Sequence, residues 1–287
     1  NMHRTPRPSN IQHANRIVWR KTRIEGRPVP FAVAGEGPPV VFLHGWGLTP
    51  HPYCPAVERL AEHDVQVFAP SLPGFGGTAE LPPAERNLPG YARWVKQFLN
   101  AAGIDEAVMV VGHSFGGGIA IQSAYHLPAR VARLVLVNSV GGATFTPSKQ
   151  SARPIRERPL RDWAAAGALE ALSTRSSLPA VATMTAAAMT NILHNPRALW
   201  RTAQLARNAD LREELDELAN RDLPVAVIWG RDDKVIPQSS FESVRIAVRN
   251  ALILEVTGAH GWLISDPDSF GNAMEQVFTT WSTQDAA

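Results

Sequence analysis

A single cysteine, Cys54, stands in a chain of 287 residues. No internal disulfide can form and no cysteine cluster can hold a metal, which removes disulfide-stapled domains and zinc ribbons from consideration. Long apolar runs are missing too: none approaches the ~18–20 residues of a membrane-spanning helix. The opening NMHRTPRPSNIQHANRIVWR carries positive charge and proline but no apolar segment, so it does not read as a secretory signal. The expectation that follows is a reducing, cytoplasmic setting. A strong charge of one sign is the third absence, the formal net charge being +2. Seven basic residues (Arg4, Arg7, Arg16, Arg20, Lys21, Arg23 and Arg27) precede residue 31 beside one acid, Glu25, leaving 21 basic against 25 acidic residues elsewhere. A slightly acidic body excludes a nucleic-acid surface spread over the fold. Residues 1–16 read as a solvated basic arm.

What is present is apolar material in short blocks. The chain is 45% hydrophobic and 19% charged, enough for a buried core. PVVFLHG (39–45), VQVFAP (65–70), AVMVVG (107–112), RLVLVNS (133–139), PVAVIWG (224–230) and LILEVTG (252–258) are continuous rather than alternating. That pattern suits strands covered on both faces of a parallel sheet. IVWRKTRI and VPFAVAG alternate better and predict an antiparallel hairpin leading into the sheet, making eight strands. Helical patterns lie between: YARWVKQFLNAAG (91–103), stopped by Gly103; GGIAIQSAYHLP (117–128), ended by Pro128; SSFESVRIAVRN (239–250), opening on a serine cap; and DPDSFGNAMEQVFTTW (266–281). Strands alternating with helices of this length predict an α/β, doubly wound, mostly parallel sheet. Between Ser139 and Pro224 no strand is evident, and helical patterns recur near 161–173, 181–193, 197–207 and 210–220. A structureless loop of that length is improbable in a compact domain, so a helical insertion is expected. The predicted division is 17–142 with 221–287 as the core, and 143–220 as the insertion.

The chemistry centres on GHSFG (112–116), which fits G-x-S-x-G. A strand turning abruptly into a helix leaves no room for side chains at Gly112 and Gly116 and lifts the Ser114 hydroxyl clear. Gly117 and Gly118 would let the following helix approach the sheet. A serine hydroxyl needs a base, and the base an orienting acid. Partners must lie on loops at the carboxyl ends of strands. Of the three histidines beyond Ser114, His126 is on the helix behind it and His194 in the insertion. His260 alone follows a strand, in EVTGAHGWL. VIWGRDDKVIP (227–237) supplies two adjacent acids, Asp232 and Asp233, only one of which can face the imidazole. For a second anion-stabilising donor the source is VVFLHGWGL (40–48): the backbone N–H of Trp46 is expected to pair with that of Phe115. His44 reads as a structural histidine bonding loop groups.

Taken together, HGWG, PSLPGFGGT, GHSFGGG, WGRDDKVIP and GAHGWLISDPDSF, in that order, resemble the α/β-hydrolase superfamily over nearly the whole chain. The resemblance implies Ser114 as nucleophile, His260 as general base and Asp233, four residues before Pro237, as the acid. Trp46 and Phe115 match the oxyanion positions. It further implies that the insertion is a helical lid between strands six and seven, and that no metal or organic cofactor takes part. Ser71 stands where the family often has Asp, at a position linked to structure. Relatives that open epoxides or carbon–halogen bonds carry Asp at the nucleophile, so Ser114 argues against both. Carbon–carbon hydrolases often have Trp directly after the histidine, whereas here Gly261 precedes Trp262.

The expected function is Ser-His-Asp hydrolysis of a carboxylic ester-type bond in a small-molecule, apolar acyl substrate. Trp163, Met184, Met189 and Trp200 are the pocket candidates, although each also suits simple lid core. Lid arginines (Arg153, Arg156, Arg158, Arg161) suit either an acidic substrate or a solvated face. Two rivals stand beside this reading: cofactor-free carbon–carbon hydrolysis, and a slow-hydrolysing or non-catalytic ligand receptor. Oligomeric state is left open.

Overall fold

The computed structural model describes residues 15–143 and 178–286. The predicted basic arm, apart from Asn15 and Arg16, and the helical pattern at 161–173 lie outside them, as do Trp163 and the four lid arginines. Eight strands form one sheet in the order β1-β2-β4-β3-β5-β6-β7-β8. They are β1 (Val18–Ile24), β2 (Arg27–Ala34), β3 (Pro39–Leu43), β4 (Gln66–Pro70), β5 (Val108–His113), β6 (Val131–Val137), β7 (Val225–Gly230) and β8 (Leu252–Val256). β2 pairs antiparallel with both β1 and β4, and every other pairing is parallel. The β1–β2 hairpin closes on Glu25 and Gly26, with φ of 49° and 77°. Two successive positive φ values are what a tight two-residue turn between twisted strands requires.

The helices are α1 (Cys54–Ala61), α2 (Leu88–Ala101), α3 (Phe115–His126), α4 (Leu178–His194), α5 (Pro196–Arg207), α6 (Arg212–Asn220), α7 (Gln238–Ala247), α8 (Trp262–Ser265) and α9 (Pro267–Asp285). They cover both faces of the sheet, which is why its central strands are apolar throughout. On β3, Val41 and Leu43 join one buried cluster with α2, α3, α6 and α7. Val40 and Phe42 point the other way, into a cluster with α1, α8 and α9. α6 packs against α3 and α7, over the face of the sheet.

Two of the helix starts that differ from expectation have a local cause. α2 begins at Leu88, three residues before the apolar periodicity, because the Asn87 side chain accepts from the Gly90 N–H. α7 has no serine cap: Pro237, in extended conformation, precedes Gln238, and no side chain closes the first turn. Among the described residues no helix is long and apolar enough to cross a membrane.

Candidate active site

Parallel strands present their carboxyl ends along one edge, where β3, β5, β7 and β8 each release a loop. Ser114 follows β5 directly, with φ 55° and ψ −119°. A non-glycine residue with this backbone is strained, at a cost of roughly 1–3 kcal/mol. The surrounding packing enforces it. A Cβ on Gly112 would sit 2.4 Å from the Gly116 carbonyl oxygen, and one on Gly116 would sit 2.2 Å from that of Leu43. Gly117 and Gly118 instead abut Ser139 and Val140, on the segment leaving β6.

The elbow brings Ser114 Oγ to 2.8 Å from His260 Nε2, and His260 Nδ1 lies 2.7 Å from Asp233 Oδ2. A carboxylate only accepts, so Nδ1 carries the proton and Nε2 is the acceptor for the serine O–H. The Asp233 side chain is fully buried, while that of His260 is 15% exposed. Asp232 is exposed and outside this line.

Four hydrogen bonds satisfy Asp233. Oδ1 accepts from the N–H groups of Val235 (2.8 Å) and Ile236 (2.9 Å), and Oδ2 accepts from His260 and from Asn138 Nδ2 (2.8 Å). Burial pushes this carboxyl upward, but the charge and hydrogen bond of His260, with those of Asn138 and Ile236, bring it below its ordinary value. It is therefore an anion at neutral pH.

Asn138, fully buried after β6, also accepts at Oδ1 from the Gly230 N–H and from Trp262 Nε1, both at 2.9 Å. Its backbone has φ of 41°, a region in which Asn is favoured among non-glycine residues. Trp262, noted in the sequence only for its spacing from His260, thus braces the acid through Asn138.

Trp46 lies on the loop after β3, and Phe115 is the first residue of α3, directly after Ser114. Among the described residues neither backbone N–H has a hydrogen-bond partner. Phe115 opens α3, so its N–H adds to the positive end of that helix.

The loop carrying Trp46 is held from several sides. Leu72 N–H donates to His44 Nε2 (3.0 Å), which puts the ring proton on Nδ1, and Nδ1 donates to the Gly45 carbonyl (2.8 Å). Burial pushes the His44 pKa down to about 4, outweighing the raising effect of that bond. His44 is structural, as its position suggested. Gly45 N–H donates to Tyr53 Oη (2.9 Å), and the Tyr53 O–H donates to His113 Nδ1 (2.8 Å). His113 Nε2–H in turn donates to the His260 carbonyl (2.8 Å). Burial, then the nearby His260, push His113 down to about 3, so it is neutral.

The helices between β6 and β7 grip the same loop. Trp46 Nε1 donates to the Leu199 carbonyl (2.9 Å) and to Thr202 Oγ1 (3.1 Å) on α5. Buried Asn191 of α4 donates to the carbonyls of Gly47 (2.9 Å) and Leu48 (3.1 Å) and accepts from Gly76 N–H (3.0 Å). Arg201 forms a two-pronged pair with Glu80.

Of the pocket candidates, Met184 packs against the cluster that includes α1 and α9. Met189 and Trp200 are 48% and 59% exposed, so neither side chain is enclosed by the described residues. Asn138, Tyr53, His113 and Asn191 were not singled out from the sequence. His113, the residue between Gly112 and Ser114, carried the one usable signal.

Fold and sequence comparisons agree on the class. Residues 38–267 match the family described as the alpha/beta hydrolase fold, and the chain belongs to that family. It is 27% identical over 254 residues to a putative non-heme haloperoxidase of Mycobacterium phage D29, covering 85% of this chain and 88% of the other. It is also 27% identical over 246 residues to a pimeloyl-[acyl-carrier protein] methyl ester esterase of Vibrio vulnificus, covering 82% and 92%. Among solved structures, the esterase RhEst1 from Rhodococcus sp. ECU1013 superposes with a TM-score of 0.70 at 23% identity, covering 92% and 98%.

Proposed function

We propose that the protein hydrolyses carboxylic esters of small molecules through an acyl-enzyme on Ser114. The observation carrying this reading is the continuous line Ser114 Oγ–His260–Asp233, ending on a buried carboxylate whose every bond favours the anion. Ser114 Oγ attacks the ester carbonyl while its proton passes to His260 Nε2. Asp233 stabilises the imidazolium, and the N–H groups of Trp46 and Phe115 receive the oxyanion. Collapse of that intermediate breaks the bond to the leaving oxygen, which takes the proton from His260. Water then repeats the sequence on the acyl-enzyme and releases the acid. The ester-cleaving name of the Vibrio relative supports the same bond type. Helices α4 and α5 serve as the lid in this reading, and no cofactor enters any step.

Ser114→Ala should lower kcat for p-nitrophenyl acyl esters by more than about 10⁴-fold, and fluorophosphonate should label wild type once, at Ser114. Full turnover in the variant, or label elsewhere, rejects the assignment. A dienoate cleaved in preference to every ester would favour the carbon–carbon reading.

A further inference from the structure

We propose that Arg207 forms a subsite for a carboxylate carried by the acyl part of the substrate, a deepening that rests on the serine-hydrolase reading. Arg207 ends α5 and is only 8% exposed. Its Nε is buried without a partner, and among the described residues its guanidinium makes no hydrogen bond or ion pair. Arg130 makes a useful contrast: its Nε is also unpartnered, but its other nitrogens donate to Asn100 and the Ile104 carbonyl. The acid close by in sequence, Asp210, is already taken by Arg212 through bonds of 2.8 and 2.7 Å. A buried guanidinium with five donors and no anion is costly, and the C-terminus of α5 offers only about half a charge in compensation.

The surroundings repeat the same deficit. Arg207 lines a cavity of about 20 Å³ with Val140, Gly141, Gly142, Ile236 and Pro237, and among the described residues none that lines it is acidic. That space is about what one water molecule needs, room for a carboxylate oxygen and not for the body of a substrate. Pro237 is the residue before α7, a helix of 10 residues whose first turn has neither a side-chain cap nor an acid. Uncapped N–H groups at a helix start attract an anion, and Pro237 and Ser240, at the start of this helix, line the cavity with Arg207.

The walls are also tied to the reaction centre. Val140 N–H donates to the Ser114 carbonyl (3.2 Å), and Ile236 N–H donates to Asp233 Oδ1 (2.9 Å). A planar carboxylate matches the guanidinium fork, whereas an apolar acyl tail leaves it unpaired.

Calorimetry with free dicarboxylates from succinate to suberate, on Ser114→Ala, reads the subsite without turnover. Binding at one or more chain lengths, weakened at least tenfold by adding Arg207→Gln in a variant that still unfolds cooperatively, is the expected result. In wild type, the kcat/KM ratio of the mono-p-nitrophenyl dicarboxylate to the neutral p-nitrophenyl ester of equal length should exceed tenfold and fall towards one in Arg207→Gln. No binding at any length, equal binding with and without Arg207, or binding of inorganic phosphate alone overturns the subsite. Wild type that cleaves neither ester, with dicarboxylate binding intact, would fail the hydrolase reading and leave the anion site standing. Should Arg207→Gln not fold, Arg207→Lys, which keeps the charge and loses the fork, must still weaken binding.

Discussion

At the scale of single residues, Asn138 shows how a neutral side chain adds to the effect of His260 in keeping a buried carboxylate ionised. Its amide nitrogen donates to Asp233 while its amide oxygen accepts from Gly230 and Trp262, so both ends of the group are committed. Asn138→Asp keeps the shape and removes the donor. It also sets a second carboxylate against Asp233 in a site sealed from water, where two like charges cannot both persist. One proton is then shared by the pair, and where that proton is lost the second negative charge favours the protonated imidazole of His260. Both effects move the acidic limb of the kcat/KM profile to higher pH. A rate profile on p-nitrophenyl acetate checks this, and an unmoved limb would show that Asn138 does not bear on the charge of the acid. Tyr53→Phe is a milder test on the other side. It strands the Gly45 N–H and His113 Nδ1, each a buried group whose loss of a partner costs about 1–3 kcal/mol. The urea midpoint should fall accordingly.

At the scale of elements, helices α4 and α5 are bonded directly to the loop that carries Trp46, the proposed oxyanion donor. α4 reaches the loop through Asn191 and α5 through Thr202 and Leu199, so the direction of the Trp46 N–H depends on where these helices sit. Asn191→Ala deletes three hydrogen bonds and leaves the carbonyls of Gly47 and Leu48 and the N–H of Gly76 without it. For a short ester, kcat should fall about tenfold or more with KM little changed, since the donor acts on the oxyanion rather than the ground state. Thr202→Val should do less, because the Leu199 carbonyl still holds the indole. Equal loss in kcat and KM would point to general loosening instead.

These contacts also mark the limit of what sequence pattern reveals. Strands β3 to β8 were legible because burial on both faces writes a continuous apolar run, and the elbow because only glycine fits beside Leu43 and Gly116. The line from Ser114 to Asp233 was legible through loop position, with the choice of Asp233 over Asp232 resting on family resemblance. Asn138, Tyr53 and Asn191 were not, since a polar residue joining elements 95, 60 or 144 positions apart leaves no periodic trace. The start of α7 was misread for a related reason: serines near a helix start suggest a cap, but Pro237 already sets the entry.

At the scale of the whole molecule, the sheet edge that gathers the catalytic loops also buries two neutral histidines, and this ties stability to pH. His44 and His113 have pKa values near 4 and 3 in the fold, against about 6.5 in an unfolded chain. Between those limits the unfolded chain binds more protons than the native one, so stability rises with pH across the window. Their contribution is complete above about pH 6.5 and is lost as pH falls towards 4. One pKa unit corresponds to ~1.4 kcal/mol, so at pH 4.5 each histidine accounts for a loss of at most ~3 kcal/mol. Asp233, whose pKa is lowered in the fold, loses its own contribution only at still lower pH. The two imidazoles together should therefore remove at most about 6 kcal/mol from a domain stability of roughly 5–15 kcal/mol before Asp233 titrates. Urea unfolding at pH 7.0, 5.5 and 4.5 should give midpoints that fall in steps while the slope with denaturant stays constant. His44→Asn, measured against wild type, should flatten the dependence by removing one of the two protons. A stability that is level from pH 7 to 5 would mean that His44 and His113 are not held neutral, and the bonds assigned to their ring nitrogens would then have to be reversed.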